Sequence, residues 1–186
     1  PQMGWENVAL LLEDREWTKA VEQVVGQTLQ QSDFNVVMKE RFPDDTSNYG
    51  TIYSSVESAG ADGAFVAMAH TGGNAVNAWA NAQSDFGFAG VHVPGQLPSF
   101  YQASMGNAAY TVTQNVATPQ SSLTEKTQPF IEAYQNKHNQ LPAFTGYITY
   151  DAIKQYADTV NNMDGDPSNT DEVVTALEES SYTGTI

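Results

Sequence analysis

"VALLLEDREWTKAVEQVV", Val8 to Val25, changes its period in the middle. Val8 to Leu12 is an unbroken apolar run, the mark of a strand buried on both faces of a parallel sheet. From Trp17 onward, Ala20, Val21, Val24, Val25 and Leu29 recur at helical spacing. A buried strand running straight into an amphipathic helix is one βα unit, and the chain repeats it.

Val36, Val37 and Met38 form a second apolar strand, followed by "PDDTSN" (Pro43 to Asn48), a turn rich in N-capping residues. Ile52, Val56 and Ala59 mark a helix stripe closed by Gly60. "GAFVAMA" (Gly63 to Ala69) is a third strand, "HTGGN" a loop, and Ala75, Ala78, Trp79 and Ala82 the next helix. "AGVHV" (Ala89 to Val93) is a fourth strand, followed by "PGQLP", a short helix near Ser99 to Met105 and a strand near Ala109 to Val116. Strands alternating with helices at this spacing predict an α/β fold: a Rossmann-like parallel sheet with helices on both faces.

After about Thr118 the rule changes. Ser121 to His138, Phe144 to Met163 and Asn169 to Ser180 read as helices, the last with Asn169 and Glu172 spaced as a capping box. No convincing strand lies between them. Their apolar stripes, such as Ile148, Ala152, Tyr156 and Val160, need a surface to cover. The expectation is a complete lobe over residues 1–118, then a segment, 119–186, belonging to a second, incomplete lobe whose sheet lies largely outside this chain. "YTGTI" (Tyr182 to Ile186) reads as a strand cut short.

Of the 186 residues, 40% are apolar, enough for a real core, but no apolar run approaches the roughly 20 residues that span a bilayer. Twenty-two acidic residues face seven basic ones, a net charge of -15. That balance argues against nucleic acid and anionic membrane surfaces as partners. The acids are scattered, as on a salt-adapted surface, where repulsion is screened to about 3 Å at 1 M salt. There is no cysteine, hence no disulfide, zinc thiolate or cysteine nucleophile. The three histidines are far apart, and no hydrolase, zinc-protease or phosphate-loop motif is present. "HTGGNA" is a poor dinucleotide fingerprint, and "DGDPSNTDE" misplaces the glycine of a calcium loop. No catalysis, cofactor or metal is expected.

Four blocks, in this order, resemble the substrate-binding proteins of branched-chain amino-acid (LIV-type) ABC transporters, the type I periplasmic-binding fold. They are "NVALLLEDREWTKAVEQVV", "RFPDDTSNYGTIYSSVESAGADGAFVAM", "VNAWANAQSDFGFAGVHVPGQ" and "GYITYDAIKQYADTV". The resemblance implies two lobes joined by three crossings that close on a small solute, the opening half of the first lobe preceding Pro1. It implies a protein outside the cytoplasm, lipid-anchored at full length, monomeric when complete, with an ABC permease as partner. The acidic composition suggests a halophilic archaeal source. A ligand-sensing domain of the same fold and a nucleotide-dependent α/β enzyme are the alternatives; a signal peptide or lipobox, a kinase domain, or a bound cofactor separates them.

Ligands of open α/β sheets sit outside the carboxyl ends of the strands. In "EDREWT", Trp17 stands where the resembling family places an aromatic lid over its ligand; the alternative is the first inward residue of the helix stripe. Glu13, Asp14 and Glu16 read as an acidic first turn favoured by the helix dipole. In "AHTGGNA", the family's aromatic is missing and His70, Thr71 and Gly72 stand in its place, with Asn74 as the expected N-cap. In "VPGQLP", amino-acid binders of the family place a carboxylate; this chain has Gly95 and Gln96, which cannot balance a buried ammonium. His92 is expected to face the helices of the sheet. Phe144 and Tyr147 match where an aromatic arrives from the first lobe, or else pack in that lobe's core.

Overall fold

The computed structural model describes residues 3–186. The chain divides into two compact units, one ending at Gln114 and the other running from Asn115 to Ile186. The first unit runs β1 (Asn7–Glu13), α1 (Glu16–Gln30), β2 (Asn35–Phe42), α2 (Gly50–Ser58), β3 (Gly63–Met68), α3 (Gly72–Ala82) and β4 (Gly87–His92). A 3-10 turn (Val93–Gln96), α4 (Phe100–Ala103) and β5 (Val112–Thr113) follow. All five strands are parallel, in the order β2-β1-β3-β4-β5.

The architecture follows from the apolar run. β1 has a strand on each side, so both of its faces are closed, and Val8 to Leu12 are at most 3% exposed. Successive side chains point to opposite faces. Val8, Leu10 and Leu12 meet Val21, Val25 and Leu29 of α1, while Ala9 and Leu11 pack with Tyr53 and Val56 of α2 and Ala75 and Val76 of α3. Each fully buried leucine contributes roughly 1.5–3 kcal/mol. The expected α/β sheet with helices on both faces is what the chain forms.

Two boundaries differ from expectation. The strand expected at Ala109–Val116 shrinks to Val112–Thr113, which pair only with Ala89 and Gly90. The preceding residues are spent on reversals: Met105, Gly106 and Tyr110 all take positive φ (53°, 87° and 66°). "PGQ" closes a 3-10 turn rather than lying in an open loop.

The second unit carries α5 (Thr127–His138), α6 (Phe144–Asn162) and α7 (Thr170–Glu179). α5 starts six residues later than the apolar pattern suggests, because side-chain bonds hold the approach in another shape. Thr127 Oγ1 accepts from the amides of Leu123 (3.1 Å) and Thr124 (2.9 Å), and Thr124 Oγ1 from that of Lys126 (3.1 Å). Asn169 caps α7 by accepting the Asp171 amide, but Glu172 reaches Asp166 N and the Asn169 amide group rather than closing a reciprocal box. Ala117, Ile131 and Tyr147 make a small core with Phe130 and Leu141. The α6 stripe stays largely open: Ile148 and Tyr156 are 45% and 51% exposed and Ala152 is exposed, while Val160 is half-buried.

The tail is not a strand, contrary to the sequence expectation. Side chains hold it instead. Asp151 of α6 accepts from Thr185 N (2.7 Å), Thr185 Oγ1 (2.9 Å) and Ile186 N (3.3 Å), and Thr127 donates to Thr185 O (2.6 Å).

Gly90 holds β4 against β3 at φ 142°, and a methyl group there would fall inside the van der Waals shell of the Val66 backbone. Gly90→Ala is expected to cost about 2–4 kcal/mol in chemical denaturation, since neither the torsion nor the backbone contact can relax cheaply. A variant of wild-type stability would contradict this pairing of β3 with β4.

Candidate functional site

β1 ends in Glu13, which continues the Ala9–Leu11 face and is 0% exposed. A buried carboxylate is costly unless it is bonded. Here Oε1 accepts from His70 N (2.7 Å), Thr71 N (2.6 Å) and Thr71 Oγ1 (2.7 Å), and Oε2 faces His70 Nδ1 at 3.3 Å. Burial by itself raises the Glu13 pKa, but the hydrogen bonds from Thr71 and its loop outweigh it and hold the carboxyl below its ordinary value. The Tyr49 ring lies nearby; burial pushes its hydroxyl up, and the charge of Glu13 adds to that.

Glu13 is the residue that sequence reasoning misplaced. Read as part of an acidic helix turn, it is the last residue of a strand and ties the end of β1 to the loop after β3. The available signal was parity: in a two-faced strand, position 13 falls on the same inward face as 9 and 11.

Thr71 occupies the N-cap position of α3, in place of the expected Asn74, which is exposed within the first turn. Its hydroxyl is committed to Glu13, so α3 starts without a side-chain cap. Gly72 opens the helix, buried; a methyl group on it would press on His92 Cβ at 3.1 Å. The His70 side chain is 57% exposed.

His92 ends β4 at 0% exposure, its ring edge-on to Phe88 and Phe100 with centroids at 5.8 and 5.4 Å. Its Nδ1 accepts from Gly95 N at 3.2 Å, which shapes the 3-10 turn, and the ring lies flat where a Gly95 side chain would be. Burial pushes its pKa down to about 4. Gln96, 7% exposed, turns its amide to Gln114 O (2.9 Å) and Gln114 Oε1 (3.2 Å).

Trp17, the second residue of α1, is 36% exposed and stands outside the core clusters. The charges around it neutralise one another: Asp14 with Arg41 (3.2 Å), Arg15 with Asp44, and Glu16 with Lys19 (2.5 Å). The carboxyl edge of the first unit carries Trp17 and Gly72 in the first turns of α1 and α3, His70 and Thr71 in the loop after β3, and Gln96 in the turn after β4.

In the second unit, Phe144 is half-buried at the start of α6, and Tyr147 is 1% exposed, its ring 5.1 Å from Phe130. Burial raises the Tyr147 hydroxyl pKa. A groove of about 750 Å³ runs between α6 and α7, lined by Asp158, Asp164, Asp171, Glu172, Glu179 and Tyr182. Among the described residues, no three His, Asp or Glu side chains converge in a way that could hold a metal ion.

Two consequences are measurable. The depressed Glu13 pKa means that its stabilising effect is present above the ordinary value of 4.5 and is lost as pH falls through the folded-state value. Glu13→Gln, which sets an amide against three donors, is expected to cost roughly 1–3 kcal/mol at neutral pH. It should also flatten the acid limb below the ordinary carboxyl pKa. For His92, the unfolded chain takes up a proton below 6.5 while the folded one resists down to about 4, so stability falls as pH drops through that window. His92→Phe should remove that slope in urea titrations at stepped pH; an unchanged slope would assign it to other groups.

The chain matches the periplasmic binding protein family over residues 2–186. No curated protein matches it. Among solved structures it is similar to a solute-binding protein of an ABC transporter from R. palustris in complex with benzoate, at 13% identity and TM-score 0.82, covering 99% of this chain and 51% of the other. It is similar to the branched-chain amino acid transporter substrate-binding protein of Streptococcus pneumoniae in complex with isoleucine, at 16% identity and TM-score 0.82, over 99% and 52%. The leucine-, isoleucine-, valine-, threonine- and alanine-binding protein of Brucella ovis matches at 16% identity and TM-score 0.79, over 97% and 46%. The chain thus spans about half the length of these proteins. No helix among the described residues is long and apolar enough to cross a membrane. The fold is that of these structures, and the matching family is that of periplasmic binding proteins. With a parallel sheet in the order β2-β1-β3-β4-β5 and a family match running over nearly its whole length, the chain belongs to the periplasmic binding protein family.

Proposed function

We propose that this chain is part of the extracytoplasmic solute-binding component of an ABC importer, which captures a small amino-acid-like or related polar solute between two lobes and presents it to a membrane permease. The observation that carries the proposal is the loop cluster at the carboxyl edge of the sheet, where ligands of such sheets sit. Family membership supports it, as do the solutes held by the similar structures, an amino acid in one and a benzoate in another. Residues up to about 118 make up one lobe in this reading, and 119–186 return to the other. The bare α6 stripe fits a segment that packs against further chain.

Trp17, His70 and Gly72 are the proposed contacts in the first unit, and Phe144 is the one proposed in the second. Thr71, Gln96 and Tyr147 act behind them, since their polar atoms or rings are engaged in the protein. The excess of acid is read as a surface adapted to salt, as in a halophile.

The test is a thermal-shift screen of the whole protein in molar KCl against amino acids, amides and small carboxylates. A bound solute at about 100 times its Kd should add about 2.7 kcal/mol and raise the Tm. Trp17→Ala should weaken binding about tenfold or more and leave the unliganded Tm within a few degrees, on the scale of an aromatic contact. A panel with no shift would sink the solute-binding reading. A Tm that does not rise with KCl would sink the salt-adapted surface.

A further inference from the structure

We infer that Arg41 is a positioning residue for solute capture: its guanidinium fixes the first turn of α1 and, through that turn, the pose of Trp17. This rests on the solute-binding reading above and adds the device that holds one of its contacts in place.

Trp17 is the second residue of α1, 36% exposed and outside the core clusters. Arg15, at the N-cap, is extended, and no side chain caps the helix. Polar bonds hold this turn instead, and one group supplies most of them. Arg41 stands beside Leu12 in the parallel ladder of β2 and β1, and it donates to residues on both sides of Trp17. Before Trp17, the guanidinium meets Asp14 Oδ1 (3.2 and 3.3 Å) and Arg15 O (3.3 Å). After it, the guanidinium meets Thr18 Oγ1 (2.9 Å) and Glu22 Oε2 (2.9 Å). Thr18 is 0% exposed and carries the grip inward, its hydroxyl lying 2.6 Å from Glu13 O and 2.7 Å from Arg15 O. Arg15 crosses in the other direction to Asp44. Both arginines, in a chain with only seven basic residues, thus tie the end of β1 to β2 and to the turn after it.

A lone exposed ion pair would contribute little. A planar fork bonded to four residues does more than balance charge, because it sets their relative geometry. A lysine ammonium, a point donor on a flexible stem, cannot do the same. Guarding the edge strand does not call for the fork either, since Lys39 and Glu40 already place charge on β2.

Acrylamide quenching of the whole protein, less that of a Trp17→Phe variant in the same background, isolates the Trp17 signal. Arg41→Met should raise that quenching, and Arg41→Lys, which keeps the charge, should raise it too. Calorimetry with benzoate and L-isoleucine reads the consequence. Each Arg41 variant should weaken whichever solute binds by about tenfold, but by less than about twofold in a Trp17→Ala background, where no indole is left to misplace. The unliganded melting temperature shows which variants are folded, and R41K serves if R41M is not. Equal losses in the two backgrounds, full rescue by Arg41→Lys, or unchanged Trp17 quenching each overturns the inference and leaves the solute-binding reading intact. If neither solute gives heat, the quenching alone decides the inference; the reading beneath it fails only if the wider thermal-shift panel is also silent.

Discussion

A carboxylate cut off from water has to be satisfied by the protein around it, and the carboxyl edge of this sheet is arranged around that requirement. Glu13 is carried inward by the strict alternation of β1, and no position on that face lets it reach solvent. Its bonds therefore come from the next strand over. The loop after β3 turns two backbone amides and the Thr71 hydroxyl toward it. Once they are engaged, the conformation of residues 70–72 is fixed, and with it the start of α3 and the presentation of His70. A polar bond between the ends of two parallel strands thus sets the shape of a surface that hydrophobic packing alone would leave loose.

The same economy appears at β4. His92 contributes no exposed atom, yet its ring nitrogen takes the Gly95 amide and its body fills the space left by two glycines. Gln96 spends its amide on Gln114 at the end of the first unit. The residues nearest the edge divide into those that hold the loops and those left for a ligand, and the first group is the larger. The second unit repeats the pattern in miniature, with Asp151 holding an extended tail by three donors in place of a sheet ladder.

The order of β and α elements was legible because apolar spacing is a local signal, and each strand and helix of the sheet announces itself within ten residues. Family membership followed from the order of those blocks. What escaped was non-local. Glu13 looks like any acid near a helix start; its partners lie 57 and 58 residues away, and no local pattern names them. β5 was overestimated because "AAYTVTQNV" has strand composition, while the reversals through Met105 and Tyr110 are torsional facts with no clear residue signature. The tail failed in the same way: "YTGTI" has the composition of a strand, but its bonding comes from side chains of two helices. Gln96 was picked out as a possible contact, and only the fold reveals that its amide is already occupied.

The imidazole lying against Gly95 has a consequence for how this edge can change. A side chain added at 95 falls on the ring, whereas one added at Gly72 presses on His92 Cβ and Pro94, so position 95 is not independent of position 92. Altering the turn at 95 requires a smaller residue at 92 in the same molecule. That smaller residue in turn releases the Gly95 amide and loosens the turn leading to Gln96. Variation here is epistatic: single substitutions are disfavoured and paired ones are accessible. A library built one site at a time would find the edge rigid when it is only coupled.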